Sequence, residues 1–352
     1  MVAKTAELGR DTMLLIICAN RPDYLQKTLD LVVKYHPVGQ VPIMFSQDGN
    51  NARVNKLIDG SILHLQLASP EVEFTHVHHP PGGNYENGYF RLAAHYKWAL
   101  DQVFQRKEIQ RVIILEEDLL IAPDFFELFA ATKSLLDTDE RLFGVSAWND
   151  NGMAASVKDT RQLYRSDFFP GLGWMMPRRI WEELGPRWPR AYWDDWLREP
   201  KQRQGRHIIR PEVCRTFHIG QHGVSNAQYS TYLNSIRLNE HFEPFTSMDL
   251  SYLEADKWKE MYLKEVRSAT LISFEDARSG RALLNVKRAG AGGAVRLVYG
   301  KFEGPGNSYS KLAEWSGAMD NVKANVPRTA YEGIVSVWKN DVKVHLVPTS
   351  FE

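Results

Sequence analysis

Residues 12–18, TMLLIIC, form a short apolar run rich in β-branched residues. The run stops at Asn20-Arg21-Pro22, and PDYLQKTLDLVVKY then places its apolar residues at helical spacing. Pro22 suits the first turn of a helix, where its missing N–H is no loss. Val41–Phe45 reads as a second strand, ending in Ser46-Gln-Asp-Gly49. Strand, helix and strand in that order imply two parallel strands joined by a crossover, hence a parallel sheet covered by helices. The pattern continues. EFTHVHH is a strand candidate within a mixed stretch at 60–84, and a long helix is expected from about Tyr85 to Gln105. The clearest strand, Arg111–Leu115, runs straight into Glu116-Glu117-Asp118, and a helix (PDFFELFAATKSLL) and a strand (FGVSAW) follow.

The chain has 352 residues, about two domains' worth. Residues 160–200 are too dense in aromatics, Gly and Pro for one regular element and read as the walls and loops of a cleft. Residues 221–232 (QHGVSNAQYSTY) read as a mobile loop. After about residue 257 the composition shifts to short strands (ALLNVKR, AVRLVYG, GIVSVWK, KVHLVP) and one helix near Tyr309–Met319. The expected organisation is a catalytic domain over 11–220, a mobile loop and linker over 221–256, and a smaller α+β domain over 257–352. Lys+Arg and Asp+Glu number 43 each, for a net charge of +0, which excludes a general nucleic-acid or anionic-membrane binder. Cys18 and Cys214 are too few for a disulfide framework and lack zinc spacing; Cys18 reads as a buried thiol, with a single bridge left open. The longest apolar run, Met13–Ala19, is far too short to span a bilayer, and MVAKTAELGRD has no signal-peptide core. The chain therefore reads as soluble where it is made, or as one from which an anchor has been removed.

The acidic triplet stands at the carboxyl end of a buried parallel strand, where ligands of open α/β sheets bind. Adjacent carboxylates repel one another, and a hard cation relieves the repulsion. Oxygen ligands suit Mg²⁺ or Mn²⁺, particularly when a substrate diphosphate supplies more oxygens. The same residues would equally serve as a solvated acidic start to the next helix. Asp48 ends the second strand and Arg21 follows the first, so a cation and carboxylates converge on one crevice. A nucleotide requires that set: arginine for phosphate or a base carbonyl, carboxylate for a base N–H or ribose hydroxyls. Taken singly, each is also a turn residue. Trp193-Asp194-Asp195-Trp196 sets two carboxylates between indoles. An apolar wall raises a carboxyl pKa and indoles stack on pyranose faces, the needs of a sugar-handling general base. Asp194 is expected to be catalytic, and Asp195 to cap a helix or pair with Arg198. His95 lies inside the long helix, and its neighbours in the chain assign it no role.

Ile17-Cys-Ala-Asn-Arg-Pro22, Ser46-Gln-Asp-Gly49, His95-Tyr-Lys-Trp-Ala-Leu100, Leu115-Glu-Glu-Asp118, Val145-Ser-Ala-Trp-Asn-Asp-Asn-Gly152, Leu163-Tyr-Arg-Ser-Asp-Phe-Phe-Pro-Gly-Leu-Gly-Trp174 and Trp193-Asp-Asp-Trp196 together resemble the N-acetylglucosaminyltransferase I family, glycosyltransferase family 13, in its plant-like form. The resemblance runs from about residue 12 to the C-terminus and is densest over 85–255. It implies a GT-A fold, a Rossmann-like mixed sheet flanked by helices. It also implies UDP-GlcNAc as donor, an oligomannose N-glycan on a glycoprotein as acceptor, Mn²⁺ as cofactor and inversion at the anomeric carbon. The Golgi lumen is the implied location, although the family's membrane anchor is absent from this chain. Carried over residue by residue, Asp118 would ligate the metal, and Glu116 and Glu117 would contact the donor sugar and ribose. Asp48 and His95 would contact the uracil, Arg21 the nucleotide, and Trp193 the substrate. Ser225 would reach a donor phosphate when the 221–232 loop closes, and Asp194 would be the general base. The triplet departs from the family's usual Glu-Asp-Asp. Glu-Glu-Asp resembles the protein O-mannose branch, so transfer to O-linked mannose is one alternative. A catalytically silent nucleotide-sugar- or glycan-binding protein is another. A nucleotidyltransferase would need a Gly-rich or Lys-bearing phosphate loop after the first strand, where only Arg21 stands.

Overall fold

The strand–helix–strand start is realised as β1 (Thr12–Cys18), α1 (Pro22–Tyr35) and β2 (Ile43–Asp48) in a computed structural model that describes residues 8–80, 85–220, 230–289, 293–300 and 308–352. The chain continues through α2 (Ala52–Ala68), β3 (Phe74–His79), α3 (Gly88–Phe104), β4 (Arg111–Glu116), β5 (Leu119–Ile121), α4 (Phe125–Thr138) and β6 (Leu142–Ser146). β7 (Leu163–Ser166), β8 (Trp174–Pro177), α5 (Arg178–Leu184), α6 (Trp193–Arg198), β9 (His207–Pro211) and β10 (Thr216–His218) follow.

Eight strands form one mixed sheet in the order β3-β2-β1-β4-β8-β6-β9-β7. β3, β2, β1 and β4 run parallel, β8 is antiparallel to both β4 and β6, and β6 and β9 run parallel. Strand side chains alternate between faces, and β1 shows both faces covered. Leu14, Ile16 and Cys18 enter the core packed by α1, α2 and α4; Met13, Leu15 and Ile17 enter the core packed by α3. Full burial of each such side chain contributes on the order of 1.5–3 kcal/mol. This is the expected Rossmann-like mixed sheet of a GT-A fold, flanked by helices. The chain winds outward from β1 to β3, then returns to lay β4 on the other side of β1. That reversal opens a crevice beyond the carboxyl ends of β1 and β4.

Near the C-terminus a smaller sheet is ordered Thr270–Leu271, Ala294–Tyr299, Val342–Pro348, Val335–Lys339 and has its own core, including Leu297, Tyr309, Leu312 and Val344. Two expectations are corrected here. Ala282–Arg288 lies in a helix, Arg281–Ala289, rather than a strand, because Leu283 and Val286 pack three residues apart, a helical and not an alternating period. The mixed stretch at 60–84 begins inside α2, whose buried residues Val54, Ile58 and Leu65 are too sparse to mark a helix in sequence. The helix Ala255–Ser268 inserts Trp258, Tyr262 and Val266 into the core of the large sheet. Both cysteines are free and buried. Among the described residues no helix is long and apolar enough to cross a membrane.

Candidate active site

The crevice encloses about 810 Å³. Its floor is the acidic strand end. The Glu117 N–H donates to Ile17 O at 3.0 Å, tying the exit of β4 to β1. The Glu117 carboxylate accepts from the Ala19 N–H (2.9 Å) and from Arg21 Nε (2.6 Å), while Arg21 Nη1 lies 2.8 Å from Asp118 Oδ2. Glu117 therefore has both oxygens engaged inside the protein, and a ribose contact there would use the lone pairs that Ala19 and Arg21 leave over. Glu116 accepts from Tyr96 Oη at 2.7 Å, and burial, reinforced by the Asp118 charge, pushes its carboxyl up to about 7.

Pairing of β5 with β10 brings His218 opposite Leu119, which sets its Nε2 3.5 Å from Asp118 Oδ2. Burial pushes the Asp118 carboxyl up, but His218 and Arg21 outweigh it and hold it below its ordinary value; the same contact raises the His218 pKa against the effect of its own burial. Gly220 passes directly over this carboxylate, and a Cβ there would collide with Asp118 Oδ2. Among the described residues Asp118 Oδ1 is buried without a hydrogen-bond partner. A buried carboxylate oxygen left in that condition fits a hard divalent cation such as Mn²⁺. Among the described residues no three His, Cys, Asp or Glu side chains converge as a metal cage. The remaining ligands would be oxygens of a diphosphate and water.

At the β2 side Asp48 accepts from Arg91 Nε and lies 3.1 Å from His79 Nδ1. His95 is 2% exposed, stacks on His79 and shares a 2.8 Å hydrogen bond with Ser46 Oγ. Burial pushes the imidazole down to about 4, so His95 acts as a neutral hydrogen-bonding group. Both residues line the crevice.

Also lining the crevice, α6 starts after Tyr192, which adopts a left-handed conformation (φ 51°). Asp194 Oδ2 and Asp195 Oδ1 each lie 2.8 Å from the same Arg198 Nη1. Asp195 Oδ2 is also 3.0 Å from Lys323 Nζ. Burial raises the Asp195 pKa, but Lys323 and Arg198 prevail and hold it below its ordinary value. Trp193 is among the residues lining the crevice. It is 6% exposed, with its ring stacked on Tyr96 at 4.3 Å and on Trp188 at 5.9 Å. Its faces are occupied by other rings, so it seats α6 and offers the crevice only an edge. Ser225 lies outside the described residues, as does most of the 221–232 loop; Ser230–Leu233 forms a helical turn.

A family model described as the GNT-I family matches residues 3–351. The chain belongs to the GNT-I family. It is 41% identical over 343 residues to alpha-1,3-mannosyl-glycoprotein 2-beta-N-acetylglucosaminyltransferase of Arabidopsis thaliana, an alignment covering 95% of this chain and 73% of that one. It is 27% identical over 157 residues to the human alpha-1,6-mannosyl-glycoprotein 2-beta-N-acetylglucosaminyltransferase, covering 34% of this chain and 35% of the relative. Among solved structures, a mannosyltransferase from Pyrobaculum calidifontis in complex with GDP-Man and Mn²⁺ aligns with 80% of each chain at 17% identity and a TM-score of 0.43.

Several groups of this GNT-I family site had no signal in the sequence. Tyr96, Arg91 and His218 reach the acids from separate elements. Lys323 and Arg328 arrive from the C-terminal segment, where Arg328 pairs with Asp150 on the loop after β6. Their positions follow from strand order, which no local pattern encodes.

Proposed function

We propose that this chain is an inverting glycosyltransferase that moves GlcNAc from UDP-GlcNAc to the 2-hydroxyl of an alpha-1,3-linked mannose on an oligomannose N-glycan, acting in the Golgi lumen. Family membership and the 41% identity to the Arabidopsis enzyme support GlcNAc transfer to mannose on N-glycans. The observation that carries the reaction is that two carboxylates of different character line one crevice. Among the described residues Asp118 keeps a buried oxygen without a hydrogen-bond partner, and Asp194 lines the same crevice with a half-exposed side chain. Asp118 would hold Mn²⁺ together with the donor diphosphate, and the bound ion would offset the charge gathering on departing UDP.

The chain's own residues do the rest. Asp48 and His95 form the uracil end, and Arg21 and His218 add positive charge beside the diphosphate position. Asp194 accepts the proton of the mannose 2-hydroxyl while that oxygen bonds to the anomeric carbon. The bond from that carbon to the UDP oxygen breaks, and the electron pair leaves with UDP. Attack from the face opposite the leaving group turns an α-donor into a β-linkage without an enzyme-bound intermediate.

The test is Asp194→Asn. Turnover falls by about 10²–10⁴ while UDP-GlcNAc binding in Mn²⁺ persists. An active Asp194→Asn enzyme alongside an inactive Asp195→Asn one would reverse the assignment. Offering oligomannose glycan against O-mannosyl peptide as acceptor separates the N-glycan activity from the O-mannose alternative.

A further inference from the structure

Lys323 stands on a hairpin formed by Val322–Lys323 and Val326–Pro327, with Lys323 paired to Val326. The two connecting residues, Ala324 (φ 48°) and Asn325 (φ 61°), are both left-handed, the geometry of a tight two-residue turn. The hairpin is anchored at its base: Arg328 Nε donates to Asn321 Oδ1 at 3.0 Å and its Nη1 pairs with the buried Asp150. Lys323 is thereby projected into the crevice from a rigid support, 128 residues along the chain from the carboxylate it pairs with.

Arg198 is equally fixed. It is 8% exposed, Nε donates to Phe169 O at 3.0 Å, and the guanidinium lies 5.0 Å from the centre of the Phe168 ring. A single nitrogen of this immobile group, Nη1, bonds both Asp194 Oδ2 and Asp195 Oδ1. The two aspartates thus crowd one cation, each taking one hydrogen of the same Nη1, and Lys323 takes the other oxygen of Asp195. Two carboxylates and two cations form a balanced row. Asp194 keeps one oxygen on Arg198, while no described residue bonds Oδ1, which is left for a substrate proton.

We infer that Lys323 is a positioning residue for the Asp194 base, acting through Asp195 by keeping it from drawing Arg198 away. The inference rests on the role proposed above for Asp194. Without the lysine, two like charges share one cation. Asp195 turns toward Arg198, and Asp194 loses the hydrogen bond that aims it at the acceptor hydroxyl. The donor end of the crevice is untouched.

The experiment compares Lys323→Met, Lys323→Arg, Asp195→Asn and the Lys323→Met/Asp195→Asn double variant. Each is assayed for kcat on an oligomannose acceptor, for the KM of UDP-GlcNAc, and for UDP-GlcNAc binding by calorimetry. Lys323→Met lowers kcat about fivefold, the scale of a half-exposed ion pair, with donor KM and binding unchanged. Lys323→Arg restores kcat to within about twofold, and the double variant is more active than Lys323→Met alone because the competing carboxylate is gone. A wild-type kcat in Lys323→Met, a donor KM that rises with the kcat loss, or strictly additive losses in the double variant would each overturn the inference. If Lys323→Met does not fold, Lys323→Arg carries the test, and a kcat loss well beyond twofold in that charge-conserving variant overturns the inference. An active Asp194→Asn enzyme would instead strike the base assignment itself, so the two failures are distinguishable.

Discussion

The side chains of Glu117 and Asp118 are 3% and 5% exposed, whereas those of Asp194 and Asp195 in the same crevice are 43% and 42% exposed. At the strand end, charge is stabilised by close hydrogen bonds in a poorly solvated place, from Ala19, Arg21 and His218. At α6 it is stabilised by numerical balance near water, with one cation for each carboxylate. The difference fits the role proposed for each end. A site for a fixed cation and diphosphate gains from immobile, desolvated ligands. A base that must greet a bulky glycan and release a proton has to remain reachable from solvent.

The comparison breaks most sharply at Asp118. Asp118→Ala abolishes Mn²⁺-dependent donor binding and lowers turnover by at least about 10³, read by calorimetry and by UDP release; Asp194→Asn spares the binding. Donor binding retained in both variants would erase the distinction between the two ends. A smaller effect comes from crowding the buried end without changing its charge. Gly220→Ala pushes a methyl into Asp118 and lowers kcat/KM by about 10–100-fold, since misplacing a ligand by an ångström carries a cost of that scale. A Gly220→Ala enzyme with wild-type kcat/KM would show that the carboxylate yields freely.

The smallest effect concerns stability, and again divides buried from solvated groups. Burial pushes His345 and His207 down to about 3, the latter helped by nearby Arg165. The unfolded chain binds protons on these residues near pH 6.5 while the folded chain does not, so the unfolded state gains protons as pH falls. Stability is full above about pH 6.5 and declines toward pH 3, by up to about 1.4 kcal/mol per pH unit for each group. Urea unfolding at pH 7 and pH 5 measures the decline, and His345→Gln flattens it. An equal pH dependence in wild type and variant would contradict the assignment.

What could be read from the residues was whatever has a local period or a local break. β1, α1 and β2 announced themselves through apolar spacing and Pro22, and the triplet at the end of β4 through the abrupt change from Leu115 to Glu116. Asp195 pairing with Arg198 was visible because the two lie within one turn of helix. α2 and Arg281–Ala289 were missed because few of their residues are buried, which blurs the period. Lys323 beside Asp195 and Arg328 beside Asp150 were out of reach for a different reason. Separations of 128 and 178 residues are closed only by the packing of the C-terminal segment on the sheet. The rings packed on Trp193, those of Tyr96 and Trp188, were out of reach too, because an indole in a sequence gives no hint of what will cover it.

The Arg328–Asp150 staple makes one flank of the pocket depend on a distant stretch of chain. Residues 178 positions apart must meet before Lys323 can stand beside Asp195. A change that frees the hairpin would open that flank without altering a single group of the acidic strand end.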